Sequence, residues 1–274
     1  GRAKMNGEIQ EFLRNSGFRP EREVLLAAMR AFGDEATNAV AGEPSSLRMI
    51  DSHLPGCVDA RSLADRPVIV VDAGDFSQGT TYFTELKGDM EIKLLNAMGY
   101  DCVALGNHEF DNGVEDLARR LSQLNCPVVC ANYDFSPFEL GKYVKPYAIV
   151  NKAGMKIGII GLLTDITRVV ERTIADRIPK FDPVIETNKW AQYLRNQEHC
   201  DLVIALTHIG WVTSDGLSDP ELVASTRGLD LVVGGHSHTF LDKMQYGIDL
   251  DGRSVPIVTD GCWGINTGIL KMKK

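Results

Sequence analysis

Val68-Ile69-Val70-Val71-Asp72-Ala73-Gly74-Asp75 is a β-branched run that stops in two carboxylates around a glycine. Its branched, wholly apolar core reads as a strand buried on both faces, with Asp75 in the turn beyond its carboxyl end. The segment after it, Thr84 to Met98, carries Leu86, Met90, Leu94, Leu95 and Met98 at helical spacing. The alternation then repeats. Strand-like runs fall at Cys102–Leu105, Val128–Ala131, Lys156–Leu163, Leu202–Leu206 and Leu229–Val233, with helical patterns at Val114–Leu124 and near Ile185–Arg195. Val255–Val258 and Gly268–Met272 read as shorter strands, with turn chemistry at Asp251-Gly252. This order predicts a layered α/β domain whose ligands gather beyond the carboxyl ends of the strands.

Three more strand-like runs end as the first one does. They close in Gly106-Asn107-His108-Glu109, in Thr207-His208 and in Gly234-Gly235-His236-Ser237-His238. Four of the six histidines sit in these segments, and a fifth, His53, closes Asp51-Ser52-His53. Alternation puts Asp51 and His53 on one side of an extended chain, and His236 and His238 share that relation. Asp75 after Gly74 has the turn needed to aim a carboxylate between two ions. Asn107 offers a carbonyl oxygen, and the histidines offer nitrogens. Paired divalent cations need this ligand mixture, and they clamp the attacking and leaving oxygens of an in-line displacement. The sixth histidine, His199, lies in a polar stretch and reads as surface.

Composition narrows the partners. The 274 residues carry a net charge of −8, with 44% apolar and 24% charged residues. No basic run tracks a phosphate backbone, which argues against a nucleic acid polymer. The apolar runs are too short for a membrane span. A small anion can still be drawn in by the cations themselves. Of the six cysteines, Cys102, Cys126 and Cys130 read as small core residues and not as a thiolate site. Residues 1–45 differ from the rest. Ile9, Phe12, Leu13, Val24, Leu25, Ala28, Met29 and Phe32 suggest two short helices, a helical arm or leader joined through an Ala41–Ser46 linker to a catalytic domain at 46–274.

Taken in order, Asp51-Ser52-His53, Gly74-Asp75, Gly106-Asn107-His108-Glu109, His208 and Gly235-His236-Ser237-His238 resemble the signature of the calcineurin-like metallophosphoesterases. Asp72–Thr80, Leu105–Gly113, Cys130-Ala131-Asn132 and Val233–Phe240 are similar to the 5'-nucleotidase branch of that family. The resemblance implies a four-layered α/β/β/α sandwich and two divalent metal ions, with Zn, Mn, Fe and Co all suited to the ligands. It implies that Asp51, His53, Asp75 and His238 hold the first ion. Asp75, Asn107, His208 and His236 would hold the second, with Asp75 shared. It implies that His108 works beside the scissile phosphate as an acid or charge stabiliser, oriented by Asp111, and that the attacking water is activated by the ions.

The activity implied is hydrolysis of a small phosphorylated substrate, a nucleotide first of all. A 2',3'-cyclic nucleotide or a nucleotide sugar is the alternative substrate, and a non-catalytic binding module is the rival from another class. Two features depart from the branch. Met49-Ile50 stands where Thr-Asn usually precedes the first Asp, and the nucleoside-gripping C-terminal domain does not follow Lys274. That domain is expected as a trimmed part or a separate polypeptide, the alternative being that the chain acts on another substrate. The resemblance implies a periplasmic or extracellular location, while the cysteine usage leans toward the cytoplasm.

Overall fold

The computed structural model describes residues 39–42, 67–78, 81–213, 216–262 and 268–271. Twelve strands among these residues form two sheets. The first holds β1 (Ala39–Gly42), β2 (Val68–Asp72), β3 (Cys102–Ala104), β4 (Val128–Val129), β5 (Val144–Lys145) and β12 (Ile269–Lys271), in the order β12-β1-β2-β3-β4-β5. The second holds β6 (Tyr147–Lys152), β7 (Met155–Leu163), β8 (Leu202–His208), β9 (Leu231–Gly234), β10 (Gln245–Ile248) and β11 (Ser254–Val258), in the order β10-β11-β9-β8-β7-β6. β2 to β5 run parallel, as do β7, β8, β9 and β11.

Strand alternation explains why these runs are apolar throughout. Ile69 and Val71 of β2 pack with Ile204 and Leu206 of β8 and Val233 of β9 between the sheets. Val70, on the other face of β2, joins Ile92, Leu95, Leu117 and Leu121 of the helices α2 (Asp89–Met98) and α3 (Val114–Leu121). Val203 and Ala205, on the other face of β8, pack against α5 (Pro183–Asn196) and α6 (Asp219–Ser225) through Ala191, Leu194, Leu222 and Val223. Strands covered on both faces have no polar side to show. The layers are therefore helix, sheet, sheet, helix, as the resemblance implies.

Several features differ from the sequence reading. The expected single helix at Thr84–Met98 is two, α1 (Thr81–Leu86) and α2, separated by Lys87 at φ 51° and Gly88 at φ 90°. Two left-handed residues break an α-helix, and a Cβ on Gly88 would sit 2.7 Å from Nη1 of Arg120. Ala39–Gly42, expected within the arm and its linker, is a strand that pairs antiparallel with β2 and parallel with β12. The rest of the arm, and the Asp51-Ser52-His53 segment, lie outside the described residues. β5, β6, β10 and α6 were not expected, and β6 is the longest of the new strands. It forms a hairpin with β7 through Ala153 and Gly154, both at positive φ. A short α4 (Arg172–Ala175) precedes α5.

Candidate metal centre

Asp75 leaves β2 through a turn that only a narrow space permits. Gly74 has φ 93° and Asp75 φ 63°. A Cβ on Gly74 would lie 2.7 Å from the Leu105 carbonyl carbon, and one on Gly106 would lie 2.7 Å from Cγ of Asp75. The loops after β2 and β3 thus touch backbone to backbone. The His108 N–H donates to Asp75 Oδ1 at 2.8 Å across this contact. His236 and His238 also hold left-handed backbones, at φ 76° and 53°. Such strain at a non-glycine residue costs on the order of 1 kcal/mol and concentrates at functional sites.

His208 ends β8 and is buried. Its Nδ1 lies 2.8 Å from the Ala73 carbonyl, which can only accept, so Nδ1 carries hydrogen. This bond joins the two sheets at their carboxyl ends and leaves Nε2 as the atom facing the site. Nε2 is 2.9 Å from Asp75 Oδ2 but lacks hydrogen-bond alignment with it. The rings of His208 and His236 stand 5.1 Å apart between centroids, inclined at 62°. Ligand-type atoms of Asp75, His208 and His236 all lie within 4.8 Å of one another. Asn107, next in the chain to the His108 amide that binds Asp75, is buried, and its Oδ1 has no hydrogen-bond partner. Buried polar atoms are rarely left without partners. A carboxylate and two imidazoles gathered this closely, with an orphaned amide oxygen on the adjoining loop, fit the donor set of a divalent cation.

The site is electrically tense without that cation. Burial pushes the Asp75 carboxyl up, but the charge and close contact of His208 and the hydrogen bond from the His108 amide bring it down to about 2. Burial pushes the His208 imidazole down, and Asp75 beside it reverses this, to about 9. A divalent cation bound at Nε2 would displace the proton that Asp75 favours on the His208 ring, and that proton would leave to solvent.

The other expected residues fall as follows. His108 sits in a 3-10 turn, His108–Phe110, with Nδ1 3.0 and 3.1 Å from the two oxygens of Asp111. Both side chains are partly exposed, so His108 can meet a ligand while Asp111 holds its ring. His238 is exposed and does not belong to the close group of Asp75, His208 and His236. Its loop is tied down by Ser237, whose Oγ accepts the Trp211 N–H at 3.0 Å and pairs with Thr239 Oγ1 at 2.8 Å. His199 is exposed, as expected. Burial raises the thiols of Cys126 and Cys130 to about 12, which suits core residues and not thiolate ligands.

Two of the buried acids, Glu109 and Asp219, have no role in the sequence reading. Glu109 is fully buried and accepts backbone N–H groups of Asp75 at 2.8 Å, Ser77 at 3.1 Å and Gly106 at 2.6 Å. Asp219 is fully buried at the start of α6, where Thr207 Oγ1 donates to its Oδ1 at 2.6 Å and burial lifts its carboxyl to about 7. Glu109 stands out by its place beside Asn107 and His108, but its three backbone donors leave no mark in the sequence. Asp219 carries no comparable local signal.

A family model for calcineurin-like phosphoesterase matches residues 44–240. A snake venom 5'-nucleotidase of Gloydius brevicauda is 34% identical over 222 residues, covering 75% of this chain and 37% of that protein. A 5'-nucleotidase of Bos taurus is 33% identical over 232 residues, covering 77% of this chain and 38% of its own length. The crystal structure of a 5'-nucleotidase precursor from Thermus thermophilus aligns with a TM-score of 0.69 at 27% identity, covering 82% of this chain and 49% of that one. The chain spans less than half the length of each of these relatives. No helix among the described residues is long and apolar enough to cross a membrane. The strand order, the ligand-bearing strand ends and a family match over most of the sequence agree: the chain belongs to the calcineurin-like phosphoesterase family.

Proposed function

We propose that this chain carries the hydrolytic centre of a two-metal phosphomonoesterase acting on nucleoside 5'-monophosphates. The observation that supports it most is the His108–Asp111 pair set on the loop whose backbone grips Asp75. A module that merely binds metal has no use for a histidine oriented by a carboxylate beside its ligands. The 5'-nucleotidases among its relatives supply the substrate class.

In this reading Asp75 is shared by two cations. Asn107, His208 and His236 complete the second, while His238 joins Asp51 and His53 at the first. When bound, the ions supply Lewis acidity to the phosphoryl oxygens and lower the pKa of the attacking water. The residues do the rest. His208 is held by Ala73 with Nε2 toward the ligand. Asp111 holds His108 at Nδ1, so Nε2 is the atom that faces the phosphoester. Water adds to phosphorus as the bond to the 5'-oxygen breaks; His108 Nε2 donates a proton to that leaving oxygen, and the proton released by the water restores His108 through solvent. The products are the nucleoside and inorganic phosphate.

Phosphate release from nucleotides, 2',3'-cyclic nucleotides and nucleotide sugars, with added Mn or Zn, tests this. Fastest release from 5'-monophosphates is expected. A folded, metal-loaded chain that releases phosphate from no monoester would contradict the proposal.

A further inference from the structure

We propose that Glu109 is a positioning residue, whose carboxylate is the common anchor that sets Asp75 between the two cations; this rests on the two-metal reading above. One side chain accepts hydrogen bonds from both ligand-bearing loops. Oε2 takes the N–H of Asp75 at 2.8 Å and of Gly106 at 2.6 Å, and Oε1 takes the N–H of Ser77 at 3.1 Å. Asp75 follows β2, and Gly106 precedes Asn107 after β3. Glu109 therefore fixes the bridging carboxylate and the amide ligand in one frame.

The anchor is itself gripped from behind. Arg120 of α3, fully buried, donates from Nη2 to the Glu109 carbonyl at 2.6 Å and from Nη1 to Ser77 Oγ at 2.8 Å. Its Nε donates to Asp116 Oδ2 at 2.8 Å. The guanidinium thus holds the same two loops that the Glu109 carboxylate holds. Three backbone donors already converge on two oxygens, so Glu109 has an acceptor's task that an amide cannot fill. Groups that orient metal ligands change metal affinity about 10–100-fold when removed.

The test uses Co(II) as the probe, read by titration and by its visible spectrum. Glu109→Gln puts an NH₂ against at least one backbone donor. Its Co(II) affinity should fall about 10–100-fold, with a changed visible band. Leu194→Ala, a core change on α5 away from the loops, should lower Tm and leave Co(II) affinity and spectrum as in wild type. Wild-type Co(II) binding by Glu109→Gln, or a loss no greater than that of Leu194→Ala, would overturn the proposal. Should Glu109→Gln fail to fold, Glu109→Asp keeps the charge but shortens the reach, and wild-type binding by it would overturn the proposal equally. Amide exchange in the metal-stripped wild type needs no variant. Slow exchange at Asp75, Ser77 and Gly106 is expected, and fast exchange there would show that no anchor exists. A wild-type chain that binds no Co(II) would instead strike the two-metal reading itself.

Discussion

Asp75→Asn removes one charge from a buried pair, and the metal-stripped chain should feel it in a pH-dependent way. Asp75 Oδ2 stands 2.9 Å from His208 Nε2. Burial disfavours the charged form of both groups, yet the carboxyl lies at about 2 and the imidazole at about 9. Against ordinary values of 3.8 and 6.5, these displacements correspond to about 2 kcal/mol seen from Asp75 and about 3 kcal/mol seen from His208. They are two views of one interaction and do not add. His208 also feels Glu109 and the Ala73 carbonyl, and Asp75 also feels His108, so the smaller figure is the one carried forward for the pair.

Linkage fixes the sign. The depressed carboxyl stabilises the fold above about pH 4, and that contribution is lost as pH falls toward 2. The raised imidazole stabilises it below about pH 6.5, and that contribution is lost as pH rises through about 9. Denaturant unfolding with chelator present should therefore show Asp75→Asn about 2 kcal/mol less stable than wild type near pH 6, with most of that gap gone near pH 10. An equal loss at both pH values would refute an ionised pair.

Three further outcomes are expected. His108→Ala should lower turnover on a nucleoside monophosphate about 10²–10⁴-fold while metal content stays at the wild-type level; parallel losses would make His108 a ligand instead of an acid. Asp219, raised from 3.8 to about 7 by burial, binds its proton more tightly in the folded chain, so the wild type should lose on the order of 4 kcal/mol between about pH 4 and pH 7. Unfolding of Asp219→Asn over that range should lack this slope, and matching slopes would refute the assignment. Removing residues 1–38 should leave a folded chain, whereas removing 1–45 also deletes β1 from between β2 and β12 and should lower Tm; equal melting of the two truncations would contradict the strand pairing.

The strands that build the site were legible because burial on both faces leaves no alternation to misread. Val68–Asp72 and Leu202–His208 are apolar for that reason, and their polar ends mark the site directly. Features set by partners distant in sequence were not legible. Lys87 and Gly88 look like ordinary residues on an amphipathic helix, and the break there meets Arg120 of a later helix. β6 is an edge strand with mixed burial, so neither alternation nor a solid apolar run announces it. Within the candidate centre, Asp75, Asn107, His208 and His236 could be named from residue type and position. Glu109's work could not, because its three donors are backbone groups, and two of them are more than thirty residues away. Asp51 and His53 fall outside the described residues, so their place at the first cation comes from the motif.

Anomalous diffraction from crystals grown with Mn(II) tests the central claim most directly. The account predicts two peaks about 3.5–4 Å apart with the Asp75 carboxylate between them. One should touch Asn107, His208 and His236, and the other His238. A single peak, or peaks that leave Asp75 uncoordinated, would contradict it.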